Sequence, residues 1–208
     1  VEKPRPPVTT GWSLIDDLTQ GGHGIGELGV VIAPTGAGKS MALAHLGAQA
    51  AKAGKTVVHY TLELSDKVVA QRYDSCISEI KLNELRNRKE DVLDSIKEIE
   101  GAIIVKEYPT KSASVATLDR HLEKLVSRGI PIGLIVVDYA DLLKSVTSYK
   151  DKRFELESIY ENLRGLAQKY ACPIWTASQT NRSGVNAEIV TMEAISEAFS
   201  KCFVADFI

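Results

Sequence analysis

The sequence predicts an α/β fold: a mainly parallel β-sheet with helices on both faces. Three observations carry this. Short apolar, β-branched runs alternate along the chain with segments whose apolar residues recur at helical spacing. The runs are apolar throughout rather than alternating, as in strands buried on both faces. The first of them, Glu27–Ile32, leads into Ala33-Pro34-Thr35-Gly36-Ala37-Gly38-Lys39-Ser40 and then a helix-forming stretch, which is the strand–loop–helix order of a phosphate-binding loop.

The totals fit one sizeable core. The chain has 208 residues, 44% hydrophobic and 25% charged, with a net charge of −2, so nucleic-acid binding would need local basic patches rather than a global field. Cys76, Cys172 and Cys202 are far apart and read as buried thiols in a reducing compartment. His23, His45, His59 and His121 show no metal-ligand spacing. No apolar run reaches membrane-spanning length and no leader pattern opens the chain, so a cytoplasmic protein is expected.

The elements follow in order. Residues 1–9 begin with "VEKPRPP" and read as a linker, with a single domain from 10 to 208. Trp12–Leu18 is a short amphipathic turn ahead of a Gly-rich loop. After the first strand, Met41–Ala51 is an Ala/Leu-rich buried helix ended by Gly54. Thr56–Leu62 is a strand, and Ser65 caps a helix running to about Ile80. The charged stretch 81–100 reads as helical. Ala102–Val105 is a short strand. From Ser114, Val115, Leu118, Leu122, Leu125 and Val126 follow helical spacing. Ile132–Val137 is a buried strand, Phe154–Tyr170 a helix, and Pro173–Ser178 a further strand. The chain ends in an apolar, strand-like run from Cys202 to Ile208, so the domain is expected to continue past it.

Chemistry is expected at the carboxyl ends of the strands. Gly36 and Gly38 let the backbone turn its N–H groups inward, the helix N-terminus adds its positive end, Lys39 reaches the β- and γ-phosphates, and Ser40 can hold Mg²⁺. The departure from the phosphate-loop pattern is Ala33 in place of the first glycine, at the end of the strand. Asp138 ends an apolar run as the acid of a Walker B strand and would hold Mg²⁺ through water. Glu63, just past the second strand, is either a base for the attacking water or a solvated loop glutamate. Gln179 is either a γ-phosphate sensor or part of a polar loop without nucleotide contact.

Beside the loop "APTGAGKS", the stretches "TLELSDKVVAQR", "VVDYADLL" and "ASQTNRSG" follow in order. Together they resemble the motor domain of replicative hexameric helicases of the DnaB superfamily, the phage helicases in particular, from Thr10 to Ile208. Alanine at the first loop position is familiar there. The resemblance implies a RecA-like fold, ATP and Mg²⁺ as ligands, a homo-hexameric ring, and translocation on single-stranded DNA at a replication fork. It also implies Glu63 as catalytic base, Asp138 as metal acid and Gln179 as phosphate sensor. A primase partner would act through a domain outside this sequence. The family's arginine finger lies beyond Ile208, so feeble hydrolysis and loose association are expected of these 208 residues alone.

By position, Lys144 to Arg153 corresponds to the first central loop of such rings and Arg182–Asn186 to the second. Lys144, Lys150, Lys152, Arg153 and Arg182 are the candidate contacts to DNA phosphates, against the alternative of ordinary solvated loops. Two other functions fit the same motifs: a recombinase or clock-type ATPase on the RecA-like fold, and a non-catalytic, nucleotide-switched ring or filament scaffold. Strand exchange against unwinding separates the first, and ATP turnover the second.

Overall fold

The computed structural model describes residues 6–147, 149–180 and 203–208. Five strands form one parallel sheet: β1 (Leu28–Ala33), β2 (Thr56–Thr61), β3 (Ala102–Glu107), β4 (Leu134–Asp138) and β5 (Ile174–Gln179). Their spatial order is β1-β5-β4-β2-β3. The crossover from β1 to β2 therefore skips two strands, which are filled in later by β4 and β5. All neighbours run parallel, so every carboxyl end lies along one edge of the sheet. The register aligns Ala33 with Gln179 and Thr61 with Asp138.

The six helices are α1 (Ser13–Leu18), α2 (Lys39–Lys52), α3 (Asp66–Ser78), α4 (Lys89–Lys97), α5 (Val115–Ser127) and α6 (Lys152–Tyr170). Successive side chains of a strand point to opposite faces, and in β4 both sets are buried. Ile135 and Val137 join Leu118, Leu122, Ile159 and Leu163 of α5 and α6. Leu134 and Val136 join Leu43, Leu46 and Ala50 of α2. This double burial is why the strands read as continuous apolar runs rather than alternating ones.

Behind α2 lies α3, seated through small residues. A methyl group on Gly47 would overlap the hydroxyl of Tyr73. Tyr73 is buried, and its hydroxyl pairs with His59 Nδ1 at 2.8 Å. Burial, helped by the Arg72 guanidinium, holds the His59 imidazole down to about 3, so this pair is a neutral hydrogen bond.

Several expectations need correcting. The stretch 81–100 is not one helix: Lys81–Asn87 forms turns and only Lys89–Lys97 is helical. The reason is local, because α3 ends with Glu79 in the left-handed region and Ser75 Oγ donates to the Ile80 carbonyl, anchoring the chain in a bend. The amphipathic turn at Trp12–Leu18 becomes α1, but none of its residues is buried, and Leu14 and Leu18 are exposed. It is held by polar bonds instead: Asp16 accepts from the Thr10 N–H at 2.8 Å and from the Thr10 hydroxyl at 2.7 Å. Strand β5 runs one residue further than expected, so Gln179 is a strand residue, while Ala33 and Asp138 end β1 and β4 as expected. Cys172 is buried but Cys76 only half-buried; both are free thiols, and Cys202 lies outside the described residues. At the end of the chain Phe203–Val204 is helical, and Phe207 makes a single parallel bridge to Gly29 of β1. Among the described residues, no helix is long and apolar enough to cross a membrane, and no cluster of three or more His, Cys, Asp or Glu could hold a metal.

Replacing glycine by alanine inside a helix ordinarily stabilises by about 0.5–1 kcal/mol. At Gly47 the added methyl meets the buried Tyr73, and overpacking of this kind costs about 1–3 kcal/mol. Gly47→Ala is therefore expected to lower the midpoint of urea unfolding; a raised midpoint would show that α3 gives way freely.

Candidate functional site

The loop between β1 and α2 encloses open space. Gly36 and Gly38 have φ of +79° and +94°, and a Cβ on either would meet nothing within 4 Å. Gly38 starts α2 without a side-chain cap. Among the described residues, the N–H groups of Gly36, Gly38, Lys39 and Ser40 find no protein acceptor. Unpaired N–H groups at the start of a 14-residue helix are the donors an anion needs. Pro34 and Thr35 bridge the strand to this turn, and the Ala37 N–H closes it onto the Pro34 carbonyl at 3.3 Å. Lys39 folds back over the loop: its ammonium donates to the carbonyls of Ala33 at 3.0 Å and Pro34 at 2.8 Å. Burial lowers its pKa, while the Glu63 and Asp138 carboxylates pull it back up.

Asp138 is only 1% exposed, and neither of its carboxylate oxygens has a hydrogen-bond partner. Burial pushes its carboxyl up; the Ser40 hydroxyl opposes this without reaching the geometry of a formed hydrogen bond, Glu63 adds to it, and Arg72 and Lys39 oppose it. The chain around it is pinned from β5: Thr176 Oγ1 donates to the Val137 carbonyl at 2.8 Å and accepts from the Ala140 N–H at 3.0 Å. Two unpartnered buried carboxylate oxygens beside a serine hydroxyl are an all-oxygen donor set, the kind Mg²⁺ takes.

Glu63 enters from β2. The Leu62 N–H donates to the Asp138 carbonyl at 2.8 Å, and the Thr61 hydroxyl holds both the carbonyl and the N–H of Leu64 at 2.8 and 3.2 Å. Ser65 then caps α3. This turn leaves Glu63 exposed, yet near enough for its charge to act on Lys39, Asp138 and Tyr139. Gln179, at the end of β5, donates from Nε2 to the Tyr139 hydroxyl at 3.1 Å. Five expected residues thus converge on one edge of the sheet: Lys39, Ser40, Glu63, Asp138 and Gln179.

Two further residues belong to this group that sequence reasoning missed. Tyr139 links Gln179 to the acids; burial, then Glu63, Asp141 and Asp138, raise its phenol pKa. Arg72 sits in α3 with one terminal guanidinium nitrogen buried and unpartnered, and its charge lowers the Asp138 carboxyl. The signal for Tyr139 was its place directly after the acid. Arg72 closes the stretch "TLELSDKVVAQR", but only the packing of α3 turns it towards Asp138.

The expected DNA contacts divide. Lys144 and Lys150 are exposed in the segment after β4, and the Lys144 backbone N–H is tied to the Ala113 carbonyl at 2.8 Å. Lys152 and Arg153 are not loop residues: they form the first turn of α6, because Asp151 caps that helix. Arg153 is engaged by the same Asp151, at 2.8 and 3.1 Å. Arg182 and the rest of the second loop lie outside the described residues.

The family model described as the DnaB-like helicase C terminal domain matches residues 7–188. A DnaB-like replicative helicase of Enterobacteria phage T4 is 28% identical over 206 residues, covering 93% of this chain and 43% of that protein. A probable replicative DNA helicase of Trieres chinensis is 26% identical over 186 residues, covering 86% and 41%. The chain thus spans about two fifths of the length of these relatives. Among solved structures, an isolated ATPase domain superposes with a TM-score of 0.81 at 15% identity, covering 99% of this chain and 77% of that one. A DnaB-like replicative helicase, described together with its interactions with primase, also scores 0.81 at 15% identity, covering 100% and 54%. The fold is therefore that of these ATPase domains, and the chain belongs to the DnaB-like helicase C-terminal domain family.

Proposed function

We propose that residues 10–208 are the ATP-hydrolysing motor of a replicative DNA helicase, preceded by a linker at 1–9, and that the motor translocates on single-stranded DNA as part of a homo-hexamer. The observation that carries this reading is the pair of buried, opposite charges, Lys39 and Asp138, lying unsatisfied by each other beside an open glycine cradle. A structural ion pair would close; these two groups are held apart around a space that an Mg²⁺–nucleotide would fill.

In this reading the N–H groups of residues 36–40 and the Lys39 ammonium bind the phosphates, Lys39 exchanging its loop carbonyls for phosphate oxygens. Ser40 and Asp138 hold Mg²⁺, which when bound offsets charge on the phosphate oxygens. Glu63 takes the proton of the attacking water. Gln179 senses the γ-phosphate and passes its state through Tyr139. Lys144, Lys150, Lys152 and Arg182 neutralise DNA phosphates, with Arg153 contributing less because Asp151 holds it. Primase interacts with one structural neighbour, the DnaB-like replicative helicase, and is the protein partner in this reading.

Glu63→Gln keeps the shape and hydrogen bonding of the side chain but cannot accept a proton. ATP binding is expected to persist while steady-state hydrolysis, with single-stranded DNA present, falls about 10²–10⁴-fold, the usual weight of a general base. Parent-level turnover in this variant would place the base elsewhere.

Asp138→Asn tests the metal acid through stability. An acid whose folded pKa is raised binds its proton more tightly in the folded state. Its charged form therefore costs stability above the folded pKa, and the cost vanishes below the ordinary value of 3.8. Without nucleotide, Asp138→Asn is expected to unfold at higher urea than the parent at pH 7, with the advantage shrinking towards pH 4. In the same variant Mg²⁺-dependent ATP binding, read by calorimetry, should be lost.

If the segment after β4 meets DNA, replacing Lys150 and Lys152 by alanine should lower the slope of log affinity against log salt by roughly 0.7 per lost contact. An unchanged slope would mean that this segment faces away from DNA.

A further inference from the structure

A second concentration of charge lies away from the nucleotide loop. The exposed edge strand β3 and helix α5 flank a groove of about 680 Å³ lined by Lys106, Tyr108, Arg120, His121 and Lys124 among others. Along α5, Thr117, Arg120, Lys124 and Ser127 fall at helical spacing and form one stripe facing the groove. On the strand side, Lys106 lies 5.7 Å from the centroid of the Tyr108 ring.

None of these cations is neutralised. Among the described residues, Lys106, Arg120, Lys124 and the adjacent Arg128 form no ion pair, and all four are exposed. One acid, Glu123, lines the groove with them, but it and the neighbouring Asp119 and Glu107 already have partners. Glu123 and Asp119 both bind Lys169, at 2.9 and 2.7 Å. Glu107 accepts from the Asp66 N–H at 3.0 Å. At the groove floor His121 is anchored by the Tyr60 hydroxyl at 2.9 Å; burial, then the charges of Lys106, Lys124 and Arg128, hold its imidazole below the usual range. Four cations whose one acid in the groove, Glu123, is already paired with Lys169 favour an anion from outside, in a chain of net charge −2.

We propose that this groove is a binding site for the backbone of single-stranded nucleic acid, separate from the nucleotide loop and from the segment at 144–153. The stripe from Thr117 to Arg128 extends about 16 Å at the rise of an α-helix, long enough for a chain of phosphates rather than one. The half-buried Tyr108 ring beside Lys106 adds an aromatic surface on which an unpaired base can stack, a feature neither a duplex nor an acidic peptide requires. The groove begins where β3 ends, and the Tyr108 N–H donates to the Thr61 carbonyl at 3.0 Å.

The test uses the 208-residue chain without ATP, so it does not depend on the ATPase reading. Binding of a fluorescent oligo(dT) is followed by anisotropy across a salt series for the parent, for Lys106→Ala/Arg120→Ala/Lys124→Ala, and for Lys150→Ala/Lys152→Ala. The groove variant is expected to bind more weakly and to lose roughly 0.7 from the salt slope for each phosphate contact removed, about 2 for all three. Tyr108→Ala is expected to weaken binding about tenfold with the slope unchanged, as loss of stacking does. The Lys150/Lys152 variant should keep the groove's share of the slope. Parent-like affinity and slope in the groove variant overturn the proposal, whatever the other variant shows. So does oligoglutamate binding in the groove with oligo(dT) affinity unmoved, or equal affinity for a duplex of the same length with no dependence on Tyr108.

Discussion

Asp138 is a carboxylate kept dry without a partner. Burial of a polar group is ordinarily compensated by a hydrogen bond, and here both oxygens go without one. Much of the surrounding architecture serves to maintain that state. Parallel pairing of β4 with β2 and β5 puts Asp138 at the sheet edge, and Thr176 locks the main chain on either side of it. Lys39 is kept from collapsing onto it by two backbone carbonyls of its own loop. Arg72 approaches from α3 and tempers the cost of the buried charge without closing on it. The fold thus carries a local destabilisation that its large apolar core can absorb, a trade common where a site must remain available to a ligand.

In the layer behind the site a neutral pair takes the place of a lone charge: His59 Nδ1 and the Tyr73 hydroxyl bond each other, His59 Nε2 has no partner, and Gly47 allows the two helices on that face to close tightly over them. The groove between β3 and α5 follows neither plan: its charges are exposed, and their nearest acids are drawn off by Lys169 and the Asp66 N–H. Buried and surface cations therefore have different roles in one chain. Those at the loop sit where solvent screening is weak, and those in the groove where salt readily competes.

Most of the sheet was legible because strands buried on both faces leave unbroken apolar runs, and β2, β4 and β5 are of this kind. The loop from Ala33 to Ser40 was legible because its glycines and Lys39 sit at fixed spacing after a strand. Asp138 and Glu63 were named from strand ends, which a parallel sheet brings to one edge. What escaped was set by tertiary contact. The turns at Lys81–Asn87 depend on Ser75 catching a carbonyl beyond its own helix, which no periodicity signals. Leu14 and Leu18 have a helical pattern but nothing to pack against. Lys152 and Arg153 looked like loop residues because the capping role of Asp151 competes, in sequence, with its reading as one more charge. Arg72 has no local signature; its direction comes from the contact of α3 with α2.

The position of the Lys39 ammonium on the carbonyls of Ala33 and Pro34 has a consequence for recognition. In the proposed role, phosphate oxygens would replace these two neutral carbonyl oxygens on the ammonium. Binding is then a substitution rather than an insertion, and the cation need not be dragged from bulk water when the guest arrives. The advantage scales with how much better the incoming oxygens are than the carbonyls they displace. A guest presenting a single weakly charged oxygen gains little from the exchange, whereas a polyphosphate gains at every step. On the proposed function, selection by charge density would follow from the placement of one side chain.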